Sequence, residues 1–118
     1  MPYSDAFRDH LADPRNAGVL EDADADVELT NPVCGDRLRL TLRVGGGRVL
    51  AARFLAYGCP PTLACGSALT ELVRGKTVAE AAALSRQDIT QHLGGLPARK
   101  GHAAALAIEA LHTALSKL

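Results

Sequence analysis

The stretch RLRLTLRVGGGRVLAARFLAY, running from Arg37 to Tyr57, decides how this chain folds. Its first part alternates with period two. Leu38, Leu40, Leu42 and Val44 point to one side, while Arg37, Arg39, Thr41 and Arg43 point to the other. That pattern is a half-buried strand with one wet face. Gly45-Gly46-Gly47 supplies a tight turn, and Arg48 to Tyr57 reads as the returning strand. Val27 to Thr30 predicts a third, shorter strand that ends at Asn31-Pro32.

Outward from this hairpin the periodicity becomes helical. Ser4 caps a short helix through about Leu11, with Phe7 and Leu11 on one face. Asp13-Pro14 ends it, because the residue before proline avoids helical backbone. Residues 21–26, EDADAD, read as a solvated acidic connector. Thr62 to Arg74 is apolar at helical spacing and stops at Gly75, a natural residue just past a helix C-terminus. Thr77 and Glu80 form a capping box, a further short helix begins at Ser85, and Gly94-Gly95-Leu96-Pro97 interrupts. The last helix runs from about Arg99 to Lys117, with Ala104, Ile108, Leu111 and Leu115 as its stripe. The order implies a single α+β domain over residues 1–118, a three-stranded antiparallel β-meander with helices on one sheet face.

Composition narrows the function. Hydrophobic residues make up 47% of 118 residues, yet there are only two Phe, two Tyr and no Trp. The core is therefore built from Ala, Leu and Val. Thirteen basic and thirteen acidic residues cancel, so no net field attracts nucleic acid or an anionic membrane. Aromatic residues for stacking on bases are scarce. The N-terminus lacks a signal-peptide pattern, and apolar runs fall short of the ~18 residues of a membrane span. These features predict a soluble, cytoplasmic protein. Three cysteines form an odd set, which in a reducing compartment suits ligands or reactive thiols better than disulfides.

The hairpin brings two of those cysteines together. If the turn centres on Gly46, Asp36 faces Ala56 and Cys34 faces Gly58, with Cys59 next along. Directly paired residues have Cα atoms ~4.5–5.5 Å apart, so Cys34, Asp36 and Cys59 converge at the open end. Gly35 and Gly58 free the backbone there, and Pro60 holds Cys59 out of helical conformation. Cys59 then sits just before a helix N-terminus, where partial positive charge favours an anionic sulfur. Cys65 falls inside that helix, beside Ala64 and Gly66, and reads as buried, with an auxiliary thiol role as the alternative. His102 lies in the first turn of the last helix, where the dipole keeps imidazole neutral and able to bind metal. His92 and His112 read as exposed helix positions with no partner.

Together these segments resemble the IscU/NifU family of iron–sulfur cluster assembly scaffolds along nearly the whole chain. His10-Leu-Ala-Asp-Pro-Arg-Asn-Ala-Gly18 is similar to the family's N-terminal segment, Cys34-Gly-Asp36 to its first ligand loop, and Tyr57-Gly-Cys59 to its second. Leu69 to Lys76 resembles its following helix, and Leu96-Pro97, Lys100 and His102 the approach to its third ligand site. The resemblance implies that Cys34 and Cys59 are ligand cysteines, that Asp36 makes bound clusters labile, and that His102 precedes the third ligand position. It also implies a cysteine desulfurase and acceptor apoproteins as partners. The chain departs from the family in three places. Ala103 stands where the family has its third cysteine, and Cys65 where it usually has serine. The chaperone-recognition segment reads Leu96-Pro-Ala-Arg-Lys100, so a dedicated chaperone is not implied.

Cys34, Cys59, His102 and Asp36 would supply two sulfurs, one nitrogen and one oxygen. A [2Fe–2S] cluster takes mostly thiolates, whereas tetrahedral zinc accepts this mixture readily. Losing the third thiolate therefore weakens a cluster more than it weakens zinc. The expected function is a non-enzymatic scaffold or carrier that binds iron or a labile [2Fe–2S] cluster and passes it on. The alternative is a zinc-bound sulfur-acceptor or regulatory paralogue. A thiol enzyme with Cys59 as nucleophile and His102 as base lacks any visible oxyanion device.

Overall fold

The alternation around Arg37 becomes the central strand of a three-stranded antiparallel sheet with order β1-β2-β3. The computed structural model describes residues 4–32, 35–97 and 100–118. The strands are β1 (Ala25–Thr30), β2 (Arg37–Gly45) and β3 (Arg48–Tyr57). Helix α1 (Asp5–Ala12) precedes them, and α2 (Pro60–Val73), α3 (Val78–Ala82), α4 (Arg86–His92) and α5 (Gly101–Ser116) follow. The expected α+β meander and its order are borne out. Among the described residues no helix is long and apolar enough to cross a membrane.

Leu38, Leu40 and Leu42 are fully buried, and with Phe54, Val49 and Val27 they form the sheet's inner face. Helices α2 and α5 lie on it and on each other, with α1 against α2 and α4 against both. The helical layer is built from small residues: Ala64, Cys65, Ala68, Ala103, Ala104, Ala107, Ala110 and Ala114 are all buried. Helix α2 approaches the sheet closely at Gly66, where an added Cβ would lie 2.5 Å from Phe54 Cδ2.

Four local expectations change. The hairpin register is displaced by two residues, with Arg37 paired to Tyr57 rather than to a residue nearer the turn. One residue comes from the turn, which closes Gly45 on Arg48. The other comes from a bulge, since Arg43 pairs with Ala51 but Val44 with Val49, leaving Leu50 extra. An even displacement keeps every side chain on its face. Thr41, expected on the wet face, is 1% exposed. The segment after α1 covers it, and its hydroxyl accepts from Leu20 N–H and donates to Arg53 O. The acidic connector is a loop only in part, because β1 begins at Ala25 and Asp26 takes a two-pronged ion pair from Arg39 at 2.9 and 2.7 Å. Helix α2 starts at Pro60 rather than Thr62, since a proline fits the first helical turn.

The caps form as their residues dictate. Ser4 Oγ accepts from Phe7 N–H and its hydroxyl donates to Leu93 O, fastening α1 to the end of α4. Thr77 and Glu80 make the expected capping box, and Ser85 with Asp88 makes a second. The outer edge of β3 is covered at two points. Asn16 and Gly18 exchange backbone hydrogen bonds with Phe54, and Lys76 O accepts from Val49 N–H. An edge so covered cannot recruit a foreign strand.

The close approach at Gly66 generates a direct test. Gly66→Ala should destabilise the fold by about 1–3 kcal/mol, because Phe54 is buried and has no room to retreat. Thermal unfolding should show a midpoint several degrees lower with an unchanged far-ultraviolet spectrum; an unchanged midpoint would mean the helix can slide outward at no cost.

Candidate metal centre

At the open end of the hairpin the chain turns back on itself before β2. Asn31 N–H donates to Asp36 O at 2.7 Å, and Gly35 N–H donates to Asn31 O at 2.8 Å. This turn drives the Asp36 side chain inward, where it is 4% exposed. Opposite it lies Gly58, at φ +139°, and a Cβ there would fall 2.0 Å from Asp36 Oδ1. Only glycine admits the carboxylate at that point.

Three donors converge on this carboxylate from the start of α2. Cys59 is the N-cap residue, with extended backbone as the following proline requires. Its N–H donates to Asp36 Oδ1 at 3.2 Å, and its thiol donates to Asp36 Oδ2 at 3.0 Å. Thr62, one turn on, donates its hydroxyl to the same Oδ2 at 2.9 Å and lies 3.4 Å from Cys59 Sγ. From the start of α5, His102 brings Nε2 to 3.7 Å from Asp36 Oδ2. One ligand atom from each of Asp36, Cys59 and His102 lies within 4.8 Å of the others. A concavity of about 230 Å³, lined by Asn31, Pro32, His102 and Leu106 among others, opens beside them.

Of the four ligands expected from sequence, the structure therefore brings Asp36, Cys59 and His102 together. Cys34 lies outside the described residues. Cys65, the candidate auxiliary thiol, is wholly buried in the core, and burial pushes its thiol up to about 12. It packs rather than reaches the site. Ala103 is likewise fully buried, on the inner face of α5. Thr62 escaped the sequence reading; its signal was a hydroxyl placed three residues after a cysteine at a helix start. The histidines read as partnerless are not so. His112 Nε2 lies 3.2 Å from Ala82 O, and His92 Nε2 lies 2.6 Å from Glu71 Oε1.

The family of NifU-like N terminal domains matches residues 2–118. The chain is 41% identical over 113 residues to the iron–sulfur cluster assembly scaffold proteins IscU 1 and IscU 2 of Archaeoglobus fulgidus, covering 96% of this chain and 74% of theirs. It is 47% identical over 114 residues to the bifunctional protein NifU/MnmA of Rubrobacter xylanophilus, covering 95% of this chain. The chain spans only 23% of that longer relative. In fold it is similar to the N-terminal part of a nitrogen-fixing NifU-like protein from Brucella abortus, with a TM-score of 0.77 at 16% identity over 98% of this chain and 93% of that one.

The hydrogen bond from Thr62 can be removed without changing shape. Thr62→Val should cost about 1–3 kcal/mol, because a buried carboxylate loses a donor and gains none. Urea unfolding at neutral pH reads the loss; a stability within error of the parent would show that Asp36 is held by Cys59 alone.

Proposed function

The chain belongs to the family of NifU-like N-terminal domains, and from that premise we propose that it is an iron–sulfur cluster assembly scaffold. Its cargo is iron or a labile [2Fe–2S] cluster, held by Cys59, Asp36 and His102 with Cys34 as the fourth ligand. The observation that carries this reading is the convergence of a thiol, a carboxylate and an imidazole within 4.8 Å on a scaffold-family fold.

The hydrogen bonds at Asp36 supply a route for loading. The Cys59 thiol proton lies between sulfur and Asp36 Oδ2, 3.0 Å apart, and an incoming cation takes that proton's place. Binding thus turns one hydrogen bond into two ligands, and returning the proton reverses it. Asp36 is also engaged by Thr62 and by Cys59 N–H, so it divides its electron density between protein and cargo. A hard carboxylate shared in this way holds cluster iron weakly, which suits a carrier that must release. Ala103 offers no sulfur, and the Cys65 thiol is sealed in the core. Sulfur from a partner cysteine desulfurase therefore arrives as persulfide on Cys59 or Cys34, and acceptor apoproteins take the finished cargo. The work is binding and transfer in a reducing cytoplasm, without enzymatic turnover. Zinc fits the same mixed donors and is expected in the protein as isolated.

Anaerobic reconstitution with ferrous iron, cysteine, a cysteine desulfurase and a thiol reductant, which supplies the electrons that turn persulfide sulfur into sulfide, should yield a visible-absorbing species that Cys59→Ala abolishes. Asp36→Ala should lengthen the lifetime of that species several-fold, as should Ala103→Cys. If wild-type protein forms no such species and instead retains one tight zinc, the scaffold reading gives way to a zinc-bound sulfur acceptor. An Asp36→Ala lifetime equal to wild type would remove the role given to that carboxylate.

A further inference from the structure

A second group of ligand-type side chains lies where α1, α2 and α4 meet. His10 comes from α1, Glu71 from α2 and His92 from α4. Glu71 Oε1 lies 2.6 Å from His92 Nε2 and 3.3 Å from His10 Nε2. The two imidazoles stand edge to face, with centroids 5.5 Å apart. All three ligand atoms fall within 4.8 Å of one another. The site has a buried floor and an open mouth, for the His10 side chain is 5% exposed, that of His92 32% and that of Glu71 39%.

The surroundings suit a cation rather than a mere hydrogen-bond cluster. His10 Nδ1 lies 2.7 Å from Ser67 Oγ, and that oxygen also accepts from Arg15 N–H at 2.8 Å. In the tautomer whose Nδ1–H donates to Ser67, the Nε2 lone pair faces Glu71 and its neighbours. An imidazole anchored through its second nitrogen is the usual support for a metal-bound histidine. Arg15 Nε approaches the other Glu71 oxygen, Oε2, at 3.6 Å, which orients the carboxylate and leaves Oε1 for the histidines. Arg15 is itself paired with Asp9, so its charge is balanced.

We propose that His10 Nε2, Glu71 Oε1 and His92 Nε2 form a second metal site that takes one divalent cation of the zinc, cobalt or nickel type. Two imidazoles and one carboxylate around an open position are a recognised donor set for zinc. With metal–ligand lengths of about 2.0–2.2 Å, neighbouring donors stand roughly 3.3 Å apart. The His10–Glu71 separation already matches, and the exposed Glu71 and His92 have room to part. Without a thiolate the site has no affinity for an iron–sulfur cluster, so its chemistry is distinct from that of the Cys59 centre. Bound metal would clamp three helices already joined there by polar contacts, and would stabilise the fold by mass action.

Cobalt separates the two sites, since thiolate ligation gives a charge-transfer band and imidazole–carboxylate ligation gives only ligand-field bands. Wild-type protein should take up two equivalents of Co²⁺, and the Cys34→Ala/Cys59→Ala variant one, without the thiolate band. Adding His92→Ala or Glu71→Gln to that variant should weaken the remaining cobalt at least tenfold and abolish the rise in melting temperature caused by Zn²⁺. Each change also removes a polar contact between helices, so the Zn²⁺-induced rise is read against that variant's own metal-free melting curve. The proposal is overturned if the double-cysteine variant takes up no Co²⁺, or if its affinity survives both substitutions. Either result leaves the scaffold reading, which rests on other residues, to stand or fall by cluster reconstitution.

Discussion

The buried carboxylate of Asp36 is the constraint from which the rest of the site follows. A carboxylate removed from water costs several kcal/mol unless hydrogen bonds replace its hydration. Here the replacements are the Cys59 N–H, the Cys59 thiol and the Thr62 hydroxyl, all from the first turn of α2. His102 adds the first turn of α5. One side chain just before β2 thus ties the first turns of two helices together. The other end of the constraint is steric, because Gly66 seats α2 directly on Phe54 of β3. Between those points the helix has little freedom, and the geometry of Cys59 relative to Asp36 is inherited from the fold.

On the proposed reading, structural stability and cargo binding compete for the same atoms. Asp36 is satisfied within the protein by hydrogen bonds from Cys59 and Thr62. A cation that displaced the thiol proton would gain two ligands but share one of them with Thr62. Such a site would load without large rearrangement and unload without large cost, unlike the closed, fully thiolate cage of a resident cluster.

The helical layer has its own logic. Its interior is largely alanine, which lets α2 and α5 approach each other and the sheet but gives each contact little area. Small helices on its rim are therefore fastened by specific polar contacts. Ser4 ties α1 to the end of α4, the capping boxes start α3 and α4, and Glu71 joins histidines from α1 and α4.

Local physical rules made much of this legible in the sequence. Alternation around Leu38, Leu40 and Leu42 fixed the sheet, and the Thr77 box and Gly75 marked helix ends, because such signals depend on neighbours within a few residues. The meeting of Asp36 with Cys59 was also readable, since an antiparallel hairpin brings its open ends together even with the register displaced. What the sequence left open was everything set by long-range packing. The turn closing Gly45 on Arg48 and the bulge at Leu50 together moved the register and set Asp36 against Gly58. Thr62 joined the site only once α2 was positioned, whereas the burial of Cys65 was already readable from its place inside that helix. His10, Glu71 and His92 are scattered over three helices and show no spacing that links them. The sequence by itself determined which strands and helices form and which hairpin ends carry chemistry. Which side chains then share a few cubic ångströms was decided by tertiary packing alone, because only the docking of whole elements brings residues distant in the chain within bonding reach.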